Sequence, residues 1–148
     1  MCGTSIHLAG GTPVYVDVDP KNFLLDTKDL ENKITYKTKA ILAVHMYSGI
    51  CNLKELKKIA KKNNLYLIED CAESFGAFDQ NQNLTGTIGD ISCWSFQAAK
   101  QLTCGDGGIL STNNANLAKK IRKFSNLGFK ALTPLGNNIK ATKDIRQN

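Results

Sequence analysis

Short apolar runs alternate with a helical pattern through the middle of the chain. Four runs are rich in β-forming residues and are bounded by polar or glycine positions: 40–46, 65–70, 91–96 and 108–112. Between the first two runs, Leu53, Leu56, Ile59 and Ala60 fall on one face of a helix whose other positions carry five lysines. A strand, a helix and a strand at this spacing form a βαβ unit. We therefore predict an α/β fold with a mostly parallel sheet and flanking helices.

Weaker patterns predict the elements on either side of this unit. Residues 14–18 alternate like a strand that ends at Asp19-Pro20, and a helix near the N-terminus is expected to stop at Gly10-Gly11. Thr27 is the predicted N-cap of a short helix, and Asn63 is expected to end the lysine-rich one. The last predicted helix is capped by Asn113 or Asn114 and carries its apolar face on Leu117, Ala118, Ile121 and Phe124.

The chemistry-bearing residues follow the ends of two neighbouring predicted strands. The 65–70 run ends in Glu69 and Asp70, Ser95 lies near the end of the 91–96 run, and Lys100 follows that run. Ligands of open α/β sheets bind at the carboxyl edge of the strands. A lysine and a carboxylate at that edge are the two protein groups that pyridoxal phosphate needs, one for covalent attachment and one for the pyridinium nitrogen. A lone surface lysine in a connecting loop is the alternative interpretation of Lys100.

Several ordered motifs carry a resemblance to a known family. They are Ile68-Glu69-Asp70-x-Ala72-Glu73-x-x-Gly76, Gly86-Thr87-x-Gly89-Asp90, Ser95-Phe96-x-x-x-Lys100 and Gly105-Asp106-Gly107-Gly108. In this order and spacing the chain resembles the DegT/DnrJ/EryC1/StrS sugar aminotransferases, from residue 10 to about residue 127. The resemblance implies the large domain of a fold-type-I transferase that depends on pyridoxal 5'-phosphate.

The resemblance also implies residue roles and a reaction. Lys100 would be the Schiff-base lysine, Asp70 the pyridinium partner, Ser95 a phosphate ligand and Ala72 a contact to the ring face. Glu73 would bind the cofactor as well, and a glutamate at this position resembles the perosamine-synthase type. The implied reaction moves an amino group from glutamate to a nucleotide-linked 4-keto-6-deoxy sugar, for amino-sugar and polysaccharide biosynthesis. The implied assembly is a homodimer in the full-length protein.

Family members are longer than this chain, so the resemblance covers a central fragment. We expect residues 1–128 to form the central part of the cofactor-binding domain and residues 129–148 to be a basic, loop-like or disordered tail. A truncated, non-catalytic remnant of such an enzyme is the main alternative function. The upstream phosphate-binding turn and the downstream segment of the family are not recognisable in the sequence.

Composition excludes some classes of protein and leaves one further alternative open. No apolar run approaches the roughly 20 residues of a membrane span, and no signal-peptide pattern is present, so we expect a cytoplasmic protein without a membrane partner. Eight of the 19 basic residues but only one of the 13 acidic residues follow residue 118. A basic segment of this kind attracts polyanions, but no nucleic-acid motif accompanies it, so a solvated face is the favoured interpretation.

The cysteines and one histidine are the remaining candidates for special chemistry. The five cysteines form no C-x-x-C pair, so we predict free thiols, mostly buried, and no metal site. Cys71 and Cys104 border the proposed site. His45, at the end of the first run, is predicted either to touch the cofactor or substrate or to be a hydrogen-bonded structural histidine.

Overall fold

A computed structural model describes residues 2–125, which form four helices and one four-stranded sheet. In chain order the elements are α1 (Cys2–Leu8), α2 (Thr27–Lys33), β1 (Ala40–Val44), α3 (Leu53–Lys62), β2 (Tyr66–Asp70), β3 (Ile91–Ser95), β4 (Gly108–Ser111) and α4 (Ala115–Ser125). The predicted tail at 129–148 lies outside the described residues. Within the described part of the chain, no helix is long and apolar enough to cross a membrane.

The sheet has the order β1-β2-β3-β4, and its first three strands are parallel. Val44 lies opposite Asp70 in β2, and Asp70 lies opposite Cys93 in β3. Only β4 is antiparallel. The prediction of a mostly parallel α/β sheet is confirmed, and the carboxyl ends of β1, β2 and β3 meet at one edge of the sheet.

Helix α3 covers one face of the sheet and forms the core with it. Leu53, Leu56, Ile59 and Ala60 are all buried, as the periodicity predicts. Asn52 caps the helix by accepting the backbone N–H of Glu55, and Asn63 is the C-cap. The strands supply the other half of this core through alternate residues, among them Ile41, Ala43 and Leu67. Successive strand residues point to opposite faces, so Asp70 lies on the face away from α3.

The face away from α3 borders a large apolar cavity. Its volume is about 810 Å³, and it lies between the segment 12–18, helix α1 and the outer edge of β1. Leu42, Val44 and Ile68 contribute the sheet side of its wall. Val14, Tyr15 and Phe23 in its wall are exposed, so it is a cleft open to solvent and not a void within the core.

Two local predictions are wrong, and each has a physical reason. Residues 14–18 form no strand; only Val18 makes an isolated bridge, to Leu25, because the neighbouring stretch 24–26 pairs with no more than the end of the segment. Asp26, rather than Thr27, caps α2, since its carboxylate accepts the Lys28 N–H at 2.8 Å. A carboxylate placed one residue earlier satisfies an orphan donor of the first helical turn.

The C-terminal helix agrees with its predicted cap but is poorly packed. Asn114 Oδ1 accepts the N–H groups of Asn116 and Leu117, which identifies Asn114 rather than Asn113 as the cap. No residue of α4 is buried, and Phe124 is 88% exposed. Its predicted apolar face is therefore only half-buried at Leu117, Ala118 and Ile121 and exposed at Phe124.

Candidate active site

The predicted site residues lie at the carboxyl edge of the parallel strands. Asp70 is the last residue of β2, and Ser95 is the last residue of the neighbouring β3. Ala72 and Glu73 follow Asp70 directly, and Lys100 lies in the loop that leaves β3. The fold therefore brings all five residues to one end of the sheet, where ligands of such sheets bind.

The Asp70 carboxylate is fixed through both of its oxygens. Oδ1 accepts the backbone N–H of Ala72 at 3.0 Å, and Oδ2 accepts the Cys2 thiol of α1 at 3.3 Å. The backbone is held too, because the carbonyl of Asp70 accepts the N–H of His45 at 3.0 Å. Asp70 thus presents an acceptor with a defined direction on the face of the sheet away from α3.

The thiols beside Asp70 are uncharged at neutral pH. Burial, followed by the nearby charge of Asp70, raises the pKa of Cys93 to about 11. Burial and the hydrogen bond to Asp70 likewise raise the pKa of Cys2. Asp70 therefore carries the negative charge of this region, which is what pairing with a protonated ring nitrogen requires.

Lys100 forms an ion pair with Glu73. Its Nζ lies 3.0 Å from Glu73 Oε1, and both side chains are partly exposed, at 23% and 34%. Gln101 donates from Nε2 to the Glu73 carbonyl at 3.1 Å, and Ser48 donates its N–H to the same carbonyl. Lys100 is therefore held at the site edge by a side chain that sequence analysis assigned to the same site.

The loop that carries Lys100 is closed at its base. The carbonyl of Phe96 accepts the Cys104 N–H at 3.0 Å and the Thr103 hydroxyl at 3.2 Å. Inside the loop, Lys100 donates its N–H to the Gln97 carbonyl, and Ser95 Oγ accepts the Gln97 N–H at 3.3 Å. These bonds give Lys100 a fixed backbone position relative to the end of β3.

A buried anchor of Glu69 and His45 lies behind the site, and sequence analysis did not anticipate it. Both side chains are fully buried, and His45 Nε2 lies 3.1 Å from Glu69 Oε2. His45 Nδ1 accepts the N–H of Cys51 at 3.2 Å, so the ring proton sits on Nε2, facing the carboxylate. His45 is therefore a structural histidine, which was one of its two predicted roles.

Glu69 holds the 86–92 segment as well. Its carboxylate accepts the N–H groups of Gly86 at 2.8 Å and Ile88 at 2.9 Å, that of Gly89, and the hydroxyl of Ser92 at 3.4 Å. Burial alone raises the pKa of Glu69, but the hydrogen bonds from His45 and these backbone groups outweigh it and hold the pKa below its ordinary value. Gly86 and Gly89, which sequence analysis identified only as part of a motif, thus contribute backbone N–H groups that bind this carboxylate.

Potential metal-ligand atoms of Cys71, His45 and Glu69 lie within 4.8 Å of one another on the α3 side of the sheet. This spacing suits a metal ion, but the Glu69 carboxylate is already saturated by its hydrogen bonds. Cys71 therefore belongs to the anchor, on the face opposite Asp70, and Cys104 is exposed. Both cysteines are free thiols.

The donor set on the Asp70 face fits pyridoxal phosphate. It offers the carboxylate of Asp70 for a ring nitrogen, the amine of Lys100, 3.0 Å from Glu73 Oε1, and the hydroxyl of Ser95 at the end of β3. These are the groups that would hold the ring, the aldehyde and the phosphate of that cofactor.

Comparison with known proteins agrees with this chemistry. Residues 3–142 match the model of the DegT/DnrJ/EryC1/StrS aminotransferase family. The GDP-perosamine synthase of Escherichia coli O157:H7 is 41% identical over 124 residues, which are 84% of this chain and 34% of that enzyme. The chain therefore spans about a third of the length of this relative.

Solved structures give the same result. An aminotransferase from Psychrobacter cryohalolentis superposes with a TM-score of 0.83 at 32% identity, over 94% of this chain and 36% of that one. NtdA from Bacillus subtilis, solved with the cofactor PMP bound, has a TM-score of 0.79 at 32% identity, over 94% of this chain and 31% of its own.

Proposed function

Because this chain belongs to the DegT/DnrJ/EryC1/StrS aminotransferase family, we propose that it forms the cofactor-binding core of a pyridoxal-phosphate-dependent sugar aminotransferase. The proposed acceptor is a nucleotide-linked 4-keto-6-deoxy sugar, and the proposed amino donor is glutamate. The relative named GDP-perosamine synthase supports this class of acceptor. The whole enzyme would act as a homodimer in amino-sugar and polysaccharide biosynthesis.

The observation that carries the proposal is the pairing of Lys100 with Glu73 at the sheet edge where Asp70 ends β2. Bound pyridoxal phosphate supplies an electron sink for negative charge that develops on a substrate carbon. Lys100 binds the cofactor covalently through its amine and then carries protons to and from the substrate. Its partner Glu73 orients the amine towards the site.

Asp70 has a separate role, which is to hold a proton on the ring nitrogen. A charged carboxylate stabilises a protonated nitrogen, whereas an amide in the same place does not. The bonds from Ala72 and Cys2 fix the carboxylate, so its direction is set before the cofactor arrives. Ser95 binds the phosphate, and Ala72 packs against the ring.

Borohydride trapping tests the assignment of Lys100. The purified chain is incubated with pyridoxal phosphate and reduced, and the labelled lysine is identified by peptide mass spectrometry. We expect the label on Lys100 at the lowest cofactor concentrations and its loss in Lys100→Ala. Lys57→Ala is the matched control, because Lys57 also forms a partly exposed ion pair, with Asp90, away from the site. Labelling spread evenly over surface lysines would contradict the assignment.

A thermal melt separates this proposal from the alternative of a non-catalytic remnant. A ligand that binds only the folded state raises the melting temperature. We expect pyridoxal phosphate to raise the Tm, and Asp70→Asn to reduce that rise while the label on Lys100 persists. An unchanged Tm at saturating cofactor would support the remnant.

A further inference from the structure

The backbone carbonyl of Glu73 is held from two directions. Its oxygen accepts the N–H of Ser48 at 3.1 Å and the side-chain amide of Gln101, also at 3.1 Å. Ser48 follows the end of β1, Glu73 follows β2, and Gln101 lies in the loop that leaves β3. This one oxygen therefore joins the loops that follow all three parallel strands at their carboxyl edge.

Two neighbouring residues of the β3 loop bind different parts of Glu73. Lys100 binds the side chain, with Nζ 3.0 Å from Oε1, and Gln101 binds the backbone. An ion pair between partly exposed side chains holds one geometry only weakly, because both side chains keep much of their freedom. The second contact, from Gln101, fixes residue 73 relative to the loop, so it restricts where the carboxylate can hold the amine.

The Ser48 N–H reaches Glu73 from a strained turn. Tyr47 and Ser48 both have positive φ, at 51° and 63°. Residues other than glycine are uncommon in this region, and they persist there where the surrounding structure holds them. Gly49 closes the turn by donating its N–H to the Met46 carbonyl at 2.7 Å. Strain of this kind is concentrated at functional sites, which supports a role for the contact between Ser48 and Glu73.

The hydrogen bond from Gln101 acts on local geometry more than on the stability of the fold. Gln101 is exposed, so water competes for its amide. The net contribution of such a bond to folding is small. The bond nevertheless spans 28 positions of the chain and ends on the residue that pairs with Lys100.

We propose that Gln101 is a positioning residue, which acts through Glu73 to align the amine of Lys100 at the carboxyl edge of the sheet. The Ser48 N–H and the Gln101 amide hold the backbone of residue 73, and the Glu73 carboxylate in turn holds Nζ. This role rests on the proposed function, in which Lys100 binds the cofactor. An amine that is kept in one place reacts with an aldehyde bound beside it more readily than an amine that samples solvent.

Proton exchange at the Lys100 ammonium group tests the geometry without the cofactor. The ammonium protons are observed on the full chain by proton–nitrogen correlation NMR, and their signal is identified by its loss in Lys100→Arg. In Gln101→Met the side chain keeps its approximate length and stays uncharged but donates no hydrogen bond. We expect exchange with water to become about fivefold faster in this variant, the effect of losing one hydrogen bond of ordinary net strength.

Two further variants serve as a repeat and a control. Gln101→Asn, whose amide is one methylene too short to reach the Glu73 carbonyl, should exchange its Lys100 ammonium protons as fast as Gln101→Met. Gln80→Met is the matched control, because Gln80 is an exposed glutamine in the turn between Asp79 and Asn83. That variant should exchange like the unaltered chain. The melting temperature of all three should stay within about 2 °C of that chain.

Borohydride trapping with pyridoxal phosphate tests the route through Glu73. We expect Gln101→Met to lower the initial rate of labelling at Lys100 about fivefold. In a Glu73→Ala background the same substitution should change the rate less than about twofold, because a residue that acts through Glu73 has no effect once that carboxylate is gone.

Each other outcome overturns the inference. Unchanged ammonium exchange in Gln101→Met would show that Gln101 does not align Lys100. A fivefold loss of labelling that persists in Glu73→Ala would show that Gln101 acts by another route. Faster exchange together with a clearly lower melting temperature would make Gln101 a structural residue. Failure of the proposed function looks different: no lysine is labelled selectively in the unaltered chain, while the ammonium exchange still decides whether Gln101 aligns Lys100.

Discussion

Replacing Glu69 by glutamine should destabilise the chain far more than its small change in size suggests. The Glu69 carboxylate accepts five hydrogen bonds, from His45, Ser92 and three backbone N–H groups of the 86–89 turn. Each of its two oxygens serves at least two of these donors. Whichever oxygen is replaced by an NH₂ group, at least two of these hydrogen-bond donors would then face another donor in the buried interior.

The magnitude follows from those unpaired groups. A buried donor left without an acceptor costs about 1–3 kcal/mol, and Glu69→Gln leaves at least two such donors unpaired. We therefore expect Glu69→Gln to lower the free energy of unfolding by about 3–5 kcal/mol at pH 7. Glu73→Gln is the matched control, since that carboxylate is partly exposed and pairs only with Lys100; it should change stability by about 1 kcal/mol or less.

The pH dependence gives a second, independent check. The pKa of Glu69 is lower in the folded chain than the ordinary value of 4.5. Its contribution is therefore fully present above that value and is lost as the pH falls through the lower, folded pKa. The difference in stability between the unaltered chain and Glu69→Gln should be largest near neutral pH and should shrink in acid.

Urea denaturation followed by circular dichroism, at a series of pH values, measures both effects. A Glu69→Gln variant within about 0.5 kcal/mol of the unaltered chain at pH 7 would refute the idea of a charged anchor. So would a difference that grows as the pH falls, because it would mean that the folded state prefers the protonated carboxyl.

Two further predictions concern local geometry and are measured by the same unfolding experiment. Asn114→Ala should cost about 1 kcal/mol through loss of the α4 cap, whereas Asn113→Ala should cost little; equal costs would contradict the assigned cap. Gly86→Ala should destabilise the chain by more than 2 kcal/mol, because the residue has a positive φ and an added Cβ would overlap the Trp94 ring. Gly76→Ala, also at positive φ but with open space, should cost only about 1–2 kcal/mol; matching losses would rule out the overlap.

Periodicity was sufficient to predict the sheet and helix α3. The apolar positions of α3 repeat at helical spacing and the strand runs are short and continuous, so a local pattern was enough for these elements. The carboxyl edge followed from parallel pairing alone, and parallel pairing predicts that Asp70, Ser95 and Lys100 lie together there.

Predictions failed where the deciding interaction comes from a distant part of the chain. The segment 14–18 has the residues of a strand, but a strand needs a neighbour along its length, and among residues 2–125 only the short stretch 24–26 pairs with its end. The role of Glu69 was equally hidden, because nothing in a strand sequence tells which of two successive acids faces the core, whereas a structural His45 was one of two predicted alternatives. The turn of glycine and small residues near Gly86 is the sequence signal for backbone N–H groups that bind a buried carboxylate. It can be interpreted only once the strand register is known.

The adjacent acids at the end of β2 have a consequence for how errors in strand pairing are rejected. A slip of one residue between β2 and its neighbours turns every side chain to the opposite face. Asp70 would then face the core, where its side chain is one methylene too short to reach the N–H groups of the 86–89 turn. Glu69 would face the opposite side, so those N–H groups would have no acceptor. The same slip would also turn the Asp70 carboxylate away from the face on which we propose that the cofactor binds. A one-residue slip would therefore lower the stability of the sheet and displace the proposed partner of the ring nitrogen. Both effects depend on the dipeptide Glu69-Asp70, so this pair of residues helps to fix the register of the sheet.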